Sequence, residues 1–341
     1  MNNTAAASKR RFSSKKIVIA TLGVVLSVGG LAYAFHGVKV SQLMDSLNRI
    51  QWGPLLMSLA AYWGGVVIAR AFLVRYMMKR FGDVSWIRAY RCLGIGFLAN
   101  NILPFRIGDL ARSASLAKGA SLSFSTVVGG LALERLLDMA MVALVGFMAL
   151  QVAPLPDMVR SFITYSAIGV AVLGAVILIF ISRFNDKQAF LGEGPLGKLI
   201  WTLWQKFSGG FTALQSFRGV LWVIFLEVLI WGFVLLSFST KLAAFGLPCG
   251  VEHTLLLTTC LGAAVALPSA PGYVGVYHAA ATIVVSNMAG VEHSVAVAFA
   301  LFSWVVDIAS GNIAGMFGMI FEGMTFGDLK RVGTLENGSD D

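Results

Sequence analysis

At 341 residues, 57% hydrophobic and only 13% charged, the chain is too apolar for a soluble domain, in which about 25% of residues carry charge. Its net charge of +9 does not signal nucleic acid, because the basic residues flank long apolar runs, as membrane topology demands. Those runs also lack the short alternating segments of a β-barrel.

The expected architecture is therefore all-α, a polytopic membrane helical bundle. Residues 1–16 form a basic, cytoplasmic N-terminal segment with Lys9, Arg10, Arg11, Lys15 and Lys16. A first span follows at about 17–35; it has no small-residue cleavage site and reads as a retained anchor. Further spans are expected at about 52–74, 123–150, 159–181, 219–241 and 295–321. Loop 182–218 is amphipathic, with Trp201 and Trp204, and is expected on the membrane surface. Residues 322–341 form a polar cytoplasmic tail, expected to be disordered after Phe326. Residues 17–321 make one transmembrane domain. Cys92, Cys249 and Cys260 have no metal-ligand spacing, so they read as packing residues and no metal or cofactor is expected.

Two segments do not fit as ordinary spans. Both carry Leu-Pro-x-x-x-Gly, at Leu103-Pro104 to Gly108 and at Leu267-Pro268 to Gly272. Residues 92–104 and 107–117 would make helices of roughly 20 and 16 Å, and 254–267 and 273–288 roughly 21 and 24 Å. A hydrocarbon core is about 30 Å thick. Each pair thus reads as a re-entrant helical hairpin that turns at its proline and glycines. Non-helical backbone at that depth must be buried in protein or line a wet cavity. Counting each hairpin as returning to its own side leaves most of the 26 basic residues, and both termini, in the cytoplasm. The first hairpin then enters from the cytoplasm and the second from outside. Span, hairpin and span occur twice in opposite orientation, at about 52–150 and 219–321, an inverted repeat of the kind secondary transporters use. Asp138 and Asp307 fall at equivalent places after the two hairpins.

Several polar residues lie where apolar ones are expected. Glu134, Arg135 and Asp138 sit deep in a span, where charge is costly. Arg135 and Asp138 are i, i+3 neighbours, and one arginine leaves a carboxylate over, so a further partner such as Arg106 or Arg112 is expected. Arg106, Asp109 and Arg112 follow the first turn; a guanidinium fork suits phosphate. Asn100 and Asn101 can satisfy backbone groups around Pro104, and Gly108 completes that turn. Pro268, Pro271, Gly272 and Gly275 shape the second turn, with Ser269, Tyr273 and His278 as further candidates for headgroup contact. Glu227 and Asp307 are intramembrane acids suited to coupling or gating. Arg70 is read as snorkelling to the near membrane surface.

Asn100-Asn101-Ile-Leu-Pro104-Phe-Arg106-Ile-Gly108-Asp109-Leu-Ala-Arg112 resembles the first signature of the flippase-like family that includes the transmembrane region of lysylphosphatidylglycerol synthase. Glu134-Arg135-Leu-Leu-Asp138 resembles its second signature, and Pro268 to His278 its third. The chain departs at His278, where many members have Glu, and at Ser303-Trp304, where some carry a polar or basic residue. The synthase's soluble aminoacyl-transferase part has no counterpart in these residues. The resemblance implies movement of lipids or lipid-linked sugars between leaflets of the cell membrane. With the arginines near the first turn, it implies a membrane lipid with a phosphate headgroup, either a phospholipid or a polyprenyl-phosphate sugar. A homo-oligomer or envelope-biosynthesis partners are compatible with this. The alternatives are a lipid-modifying membrane enzyme and a non-transporting accessory subunit; no nucleophile–base spacing supports the enzyme, and none is expected.

Overall fold

The computed structural model describes residues 14–103, 107–152, 216–266 and 269–329, with a few positions between 160 and 172. Pro104, Arg106 and Pro268, most of the expected span 159–181, and loop positions 182–215 lie outside the described residues.

Every regular element among the described residues is helical. Helix α1 (Ser14–Phe35) turns at Gly37 into α2 (Val40–Asn48), bent by 87°. Helix α3 (Trp52–Leu59) runs through a wide π turn (Ala60–Val66) into α4 (Val67–Met78). Pro54 falls in the first turn, where an N–H has no intrahelical partner to lose. The π turn holds Gly65 against the Phe233 ring, where a Cβ would collide. The hydrophobic pattern did not reveal this turn, and it lengthens the expected span to Met78.

The first broken segment is α5 (Trp86–Ile102) and α6 (Gly108–Gly119). Helix α5 begins six residues before the expected start, because the Ser85 hydroxyl accepts the Arg88 N–H (3.2 Å) and caps it. Arg88 and Arg91, before the expected start of the helix, stand on its first turns. Arg88 Nε lies 3.2 Å and Arg91 Nη1 3.6 Å from Glu322, and Arg91 covers the Phe321 ring at 4.5 Å. At 17 residues α5 still reaches only roughly 26 Å.

Helix α7 (Phe124–Val152) and helix α8 (Phe217–Ala244) follow in the described chain. The second broken segment is α9 (Val251–Ala266), a 3-10 turn (Pro271–Tyr273) and α10 (Val276–Ser286). Helix α10 begins at Val276 rather than the expected 273, because Gly272, Tyr273 and Gly275 all take positive φ. Helix α11 (His293–Glu322) ends the bundle. Trp52–Met78, α7, α8 and α11 are long and apolar enough to cross a membrane, and the bent α1–α2 pair makes a fifth candidate. The protein is a multi-pass helical membrane protein.

The packing exchanges elements between the two halves. Helix α11 packs on α5, and α7 packs on α9. The α5–α11 seam is closed by small residues: Gly94 abuts the Ala314 carbonyl, Gly315 abuts Leu98, and Gly318 abuts the Arg91 carbonyl. Helices α3 and α8 cross at Ser58 and Ser237, whose hydroxyls are 3.0 Å apart. Helix α1 backs α10, with Gly30 against the Gly275 carbonyl. The tail departs from expectation at Leu329, which is buried against Ile95, Leu98 and Ala111 rather than disordered.

Candidate functional site

The two broken segments meet at their tips. Asn100 Oδ1 accepts the Gly108 N–H (2.9 Å), so one side chain bridges the break between α5 and α6. Gly108 is pressed against the Gly96 carbonyl and Asn100, and no Cβ fits there. Asn101 Nδ2 donates to Asn312 Oδ1 (2.9 Å), fixing the first tip to α11. At the second tip, Ala270 N–H donates to Ser27 Oγ (3.0 Å), and Trp304 Nε1 donates to the Gly272 carbonyl (2.7 Å). His278 Nδ1 accepts the Gly275 N–H (3.3 Å), and its ring packs against Tyr277 and Trp304. Ser269 lies beside Gly23 of α1. The open side of Gly272 faces Trp304, Ile308 and the Asn101 carbonyl, so tip faces tip.

Immediately after the first break, six charged side chains close a network. Arg70 of α4 grips Asp138 with both terminal nitrogens (2.7 and 3.0 Å), and its Nη1 also donates to Glu134 (2.8 Å). Arg112 of α6 donates to Glu134 (2.9 Å) and lies 3.5 Å from Asp109. Arg135 donates to Asp109 (3.1 Å) and Asp138 (3.2 Å). Arg70, Arg112 and Arg135 thus face Asp109, Glu134 and Asp138, and the formal charges cancel. Such matching is what permits buried charge, since an unpaired ion there costs several kcal/mol. The members differ in access: the Arg135 side chain is 41% exposed, Arg112 9% and Glu134 2%.

A second ion pair occupies the other half. Lys241 of α8 donates to both oxygens of Asp307 on α11 (2.7 and 2.9 Å), and Tyr277 of α10 donates to the same carboxylate (3.3 Å). A family model described as the lysylphosphatidylglycerol synthase TM region matches residues 20–315. The chain belongs to that family. Comparison with curated proteins and with solved structures found no match. Both ion clusters and both tips of this family member fall inside the matched range.

The structure brings Asp109, Arg112, Glu134, Arg135 and Asp138 together, while Asn100 and Asn101 serve the fold of the first tip. It corrects the reading of Arg70, which does not snorkel but anchors the network from α4. Sequence reading also missed Lys241, counted as a charge at the outer end of its span, and Asn312. Each is a polar residue within or closing an apolar run, and that was the available signal. Glu227, on α8, is 3% exposed, and neither of its oxygens has a hydrogen-bond partner.

Proposed function

We propose that this protein moves a lipid with a phosphate headgroup, an anionic phospholipid or a polyprenyl-phosphate sugar, between the leaflets of the cell membrane. The observation that carries this reading is a charge-matched network set against a backbone break, with one arginine side chain, Arg135, left 41% exposed. In this reading Arg135 receives the phosphate, joined by Arg106 of the first Leu-Pro-x-x-x-Gly motif. Arg112 and Arg70 hold Glu134 and Asp138 in place rather than touching the lipid. Membership of a family named for a lipid synthase's membrane region supports a lipid as the cargo.

Re-entrant hairpins in an inverted repeat complete the reading. Arg70 and Asp138 are 68 residues apart, and Lys241 and Asp307 are 66 apart. In each half a cation from the helix before the break grips an aspartate from the helix after it. The exchanged packing, α7 on α9 and α11 on α5, is the pattern a two-fold relation produces. The hairpins then act as gates on opposite faces, with both termini in the cytoplasm.

Leaflet exchange in proteoliposomes tests this, comparing a neutral lipid, an anionic phospholipid and a polyprenyl-phosphate sugar. Exchange of an anionic class is expected, reduced by Arg135→Lys, which loses the planar fork, and reduced further by Arg135→Ala. Preference for the neutral lipid, or full activity of Arg135→Ala, would remove phosphate from the mechanism.

A further inference from the structure

Glu227 is the acid that neither ion cluster uses. It is 3% exposed in the middle of α8, and both carboxyl oxygens are sealed from solvent with no donor in reach. One helical turn on, at i+4 and so on the same face, the Trp231 indole N–H is also buried without an acceptor. Helix α8 packs against α4 and α7, which carry four of the six members of the network, Arg70, Glu134, Arg135 and Asp138. The charged groups that act on Glu227 are Arg70 from α4 and Asp138, Glu134 and Arg135 from α7. The other packed elements bring Tyr62 in the π turn, and Glu252, His253 and Cys260 in α9.

The charge count decides what this acid does. Three guanidiniums are already matched by three carboxylates, so an ionised Glu227 would be a fourth negative charge with no counter-charge and no hydrogen-bond donor. A buried carboxylate in that position is far less stable than the neutral acid. A phosphate arriving at Arg135 adds a further negative charge to the same region.

We infer that Glu227 is a proton-binding site thermodynamically linked to the headgroup site, so that the anionic headgroup and a proton are bound together. By reciprocity, the factor by which the headgroup tightens the proton is the factor by which the proton tightens the headgroup. When α8 opens to water, Glu227 ionises, and the headgroup site weakens. The linkage rests on the transport reading; the proton site itself does not.

The test uses the full chain in nanodiscs with dicyclohexylcarbodiimide, which adds to a carboxylic acid but not to a carboxylate and leaves a stable N-acylurea for peptide mass spectrometry. Glu227 should be labelled increasingly as pH falls, with Glu134 and Asp138 unlabelled. A short-chain anionic phospholipid should bind roughly tenfold more tightly in acid than in alkaline buffer, within the ordinary range of site coupling. Glu227→Gln should bind it with the acid-buffer affinity at every pH. Absence of label from Glu227, or protection of Glu227 by sodium at constant pH, would overturn the inference. Should Glu227→Gln fail to fold, the wild-type labelling decides alone. Labelling without any leaflet exchange would sink the transport reading and leave the proton site standing. Exchange with no label and no pH response would do the reverse.

Discussion

Arg112 and Arg135 look alike in the sequence but differ in what each would leave behind. Arg112 is buried between Glu134 and Asp109. Arg112→Ala removes one of the two guanidiniums that donate to buried Glu134 and leaves the network one positive charge short, which should cost up to about 3–5 kcal/mol, read as a loss of folded yield. Pairing it with Glu134→Gln should recover much of that yield, and purely additive losses would show the two are uncoupled. Arg135→Ala should lower yield less than Arg112→Ala does, because a side chain 41% exposed is partly screened by solvent. The second ion pair gives an asymmetric expectation. The Lys241 side chain is 4% exposed, whereas Asp307 is 40% exposed and keeps Tyr277. Asp307→Asn, which buries a lone ammonium, should therefore lower the detergent melting temperature more than Lys241→Met does; the opposite order would overturn the assignment of Lys241 as the dependent partner. Arg70 shows where sequence reading stopped. Depth along a span is legible from residue spacing, and depth alone suggested snorkelling. Which way the side chain faces depends on Asp138, 68 residues later, and no local pattern encodes that azimuth.

At the scale of elements, the breaks were legible and their exact edges were not. The prolines and glycines of the two motifs marked them, because those residues remove donors or admit positive φ. The start of α5 was missed because Arg88 and Arg91 look like loop charges, and their partner Glu322 lies at the far end of the sequence. The α5–α11 seam leaves no room for added atoms. Gly94→Ala drives a methyl into the Ala314 carbonyl and should destabilise by about 1–3 kcal/mol, as overpacking does; a detergent melting curve reads it, and an unchanged midpoint would mean the seam can yield. Trp304→Phe removes the hydrogen bond to the Gly272 carbonyl while keeping a ring against His278. It should raise hydrogen exchange at 269–275 while leaving the α5–α11 seam protected. Equal rates in wild type and variant would show that the indole does not hold the second tip.

Across the whole molecule, the halves touch at a crossing of α3 and α8, where Ser58 and Ser237 meet. If one repeat rocks against the other, this crossing is the natural pivot, since points near an axis stay together. A disulfide between Ser58→Cys and Ser237→Cys, built without Cys92, Cys249 and Cys260, should leave leaflet exchange intact. Loss of exchange on oxidation, restored by reductant, would place the moving surface across that crossing instead. The span-and-break organisation was legible because hydrophobic length and charge bias act along the chain. The exchanged packing was not, because it depends on which small residues of α11 fit which gaps of α5.

The cancellation of charge among Arg70, Arg112, Arg135, Asp109, Glu134 and Asp138 has an electrical meaning. A charge moved through the membrane potential exchanges about 2.3 kcal/mol per 100 mV, whereas a cluster that sums to zero exchanges none as a unit. The network itself then adds nothing to voltage dependence, whether the carrier is loaded or empty. What remains is the cargo and Glu227: if a singly charged phosphate and the proton of Glu227 are taken up together and released together, a full cycle moves one negative and one positive charge and transfers none. A potassium diffusion potential imposed on proteoliposomes would therefore leave the final distribution of such a lipid where it was, and the current recorded during steady turnover would be flat.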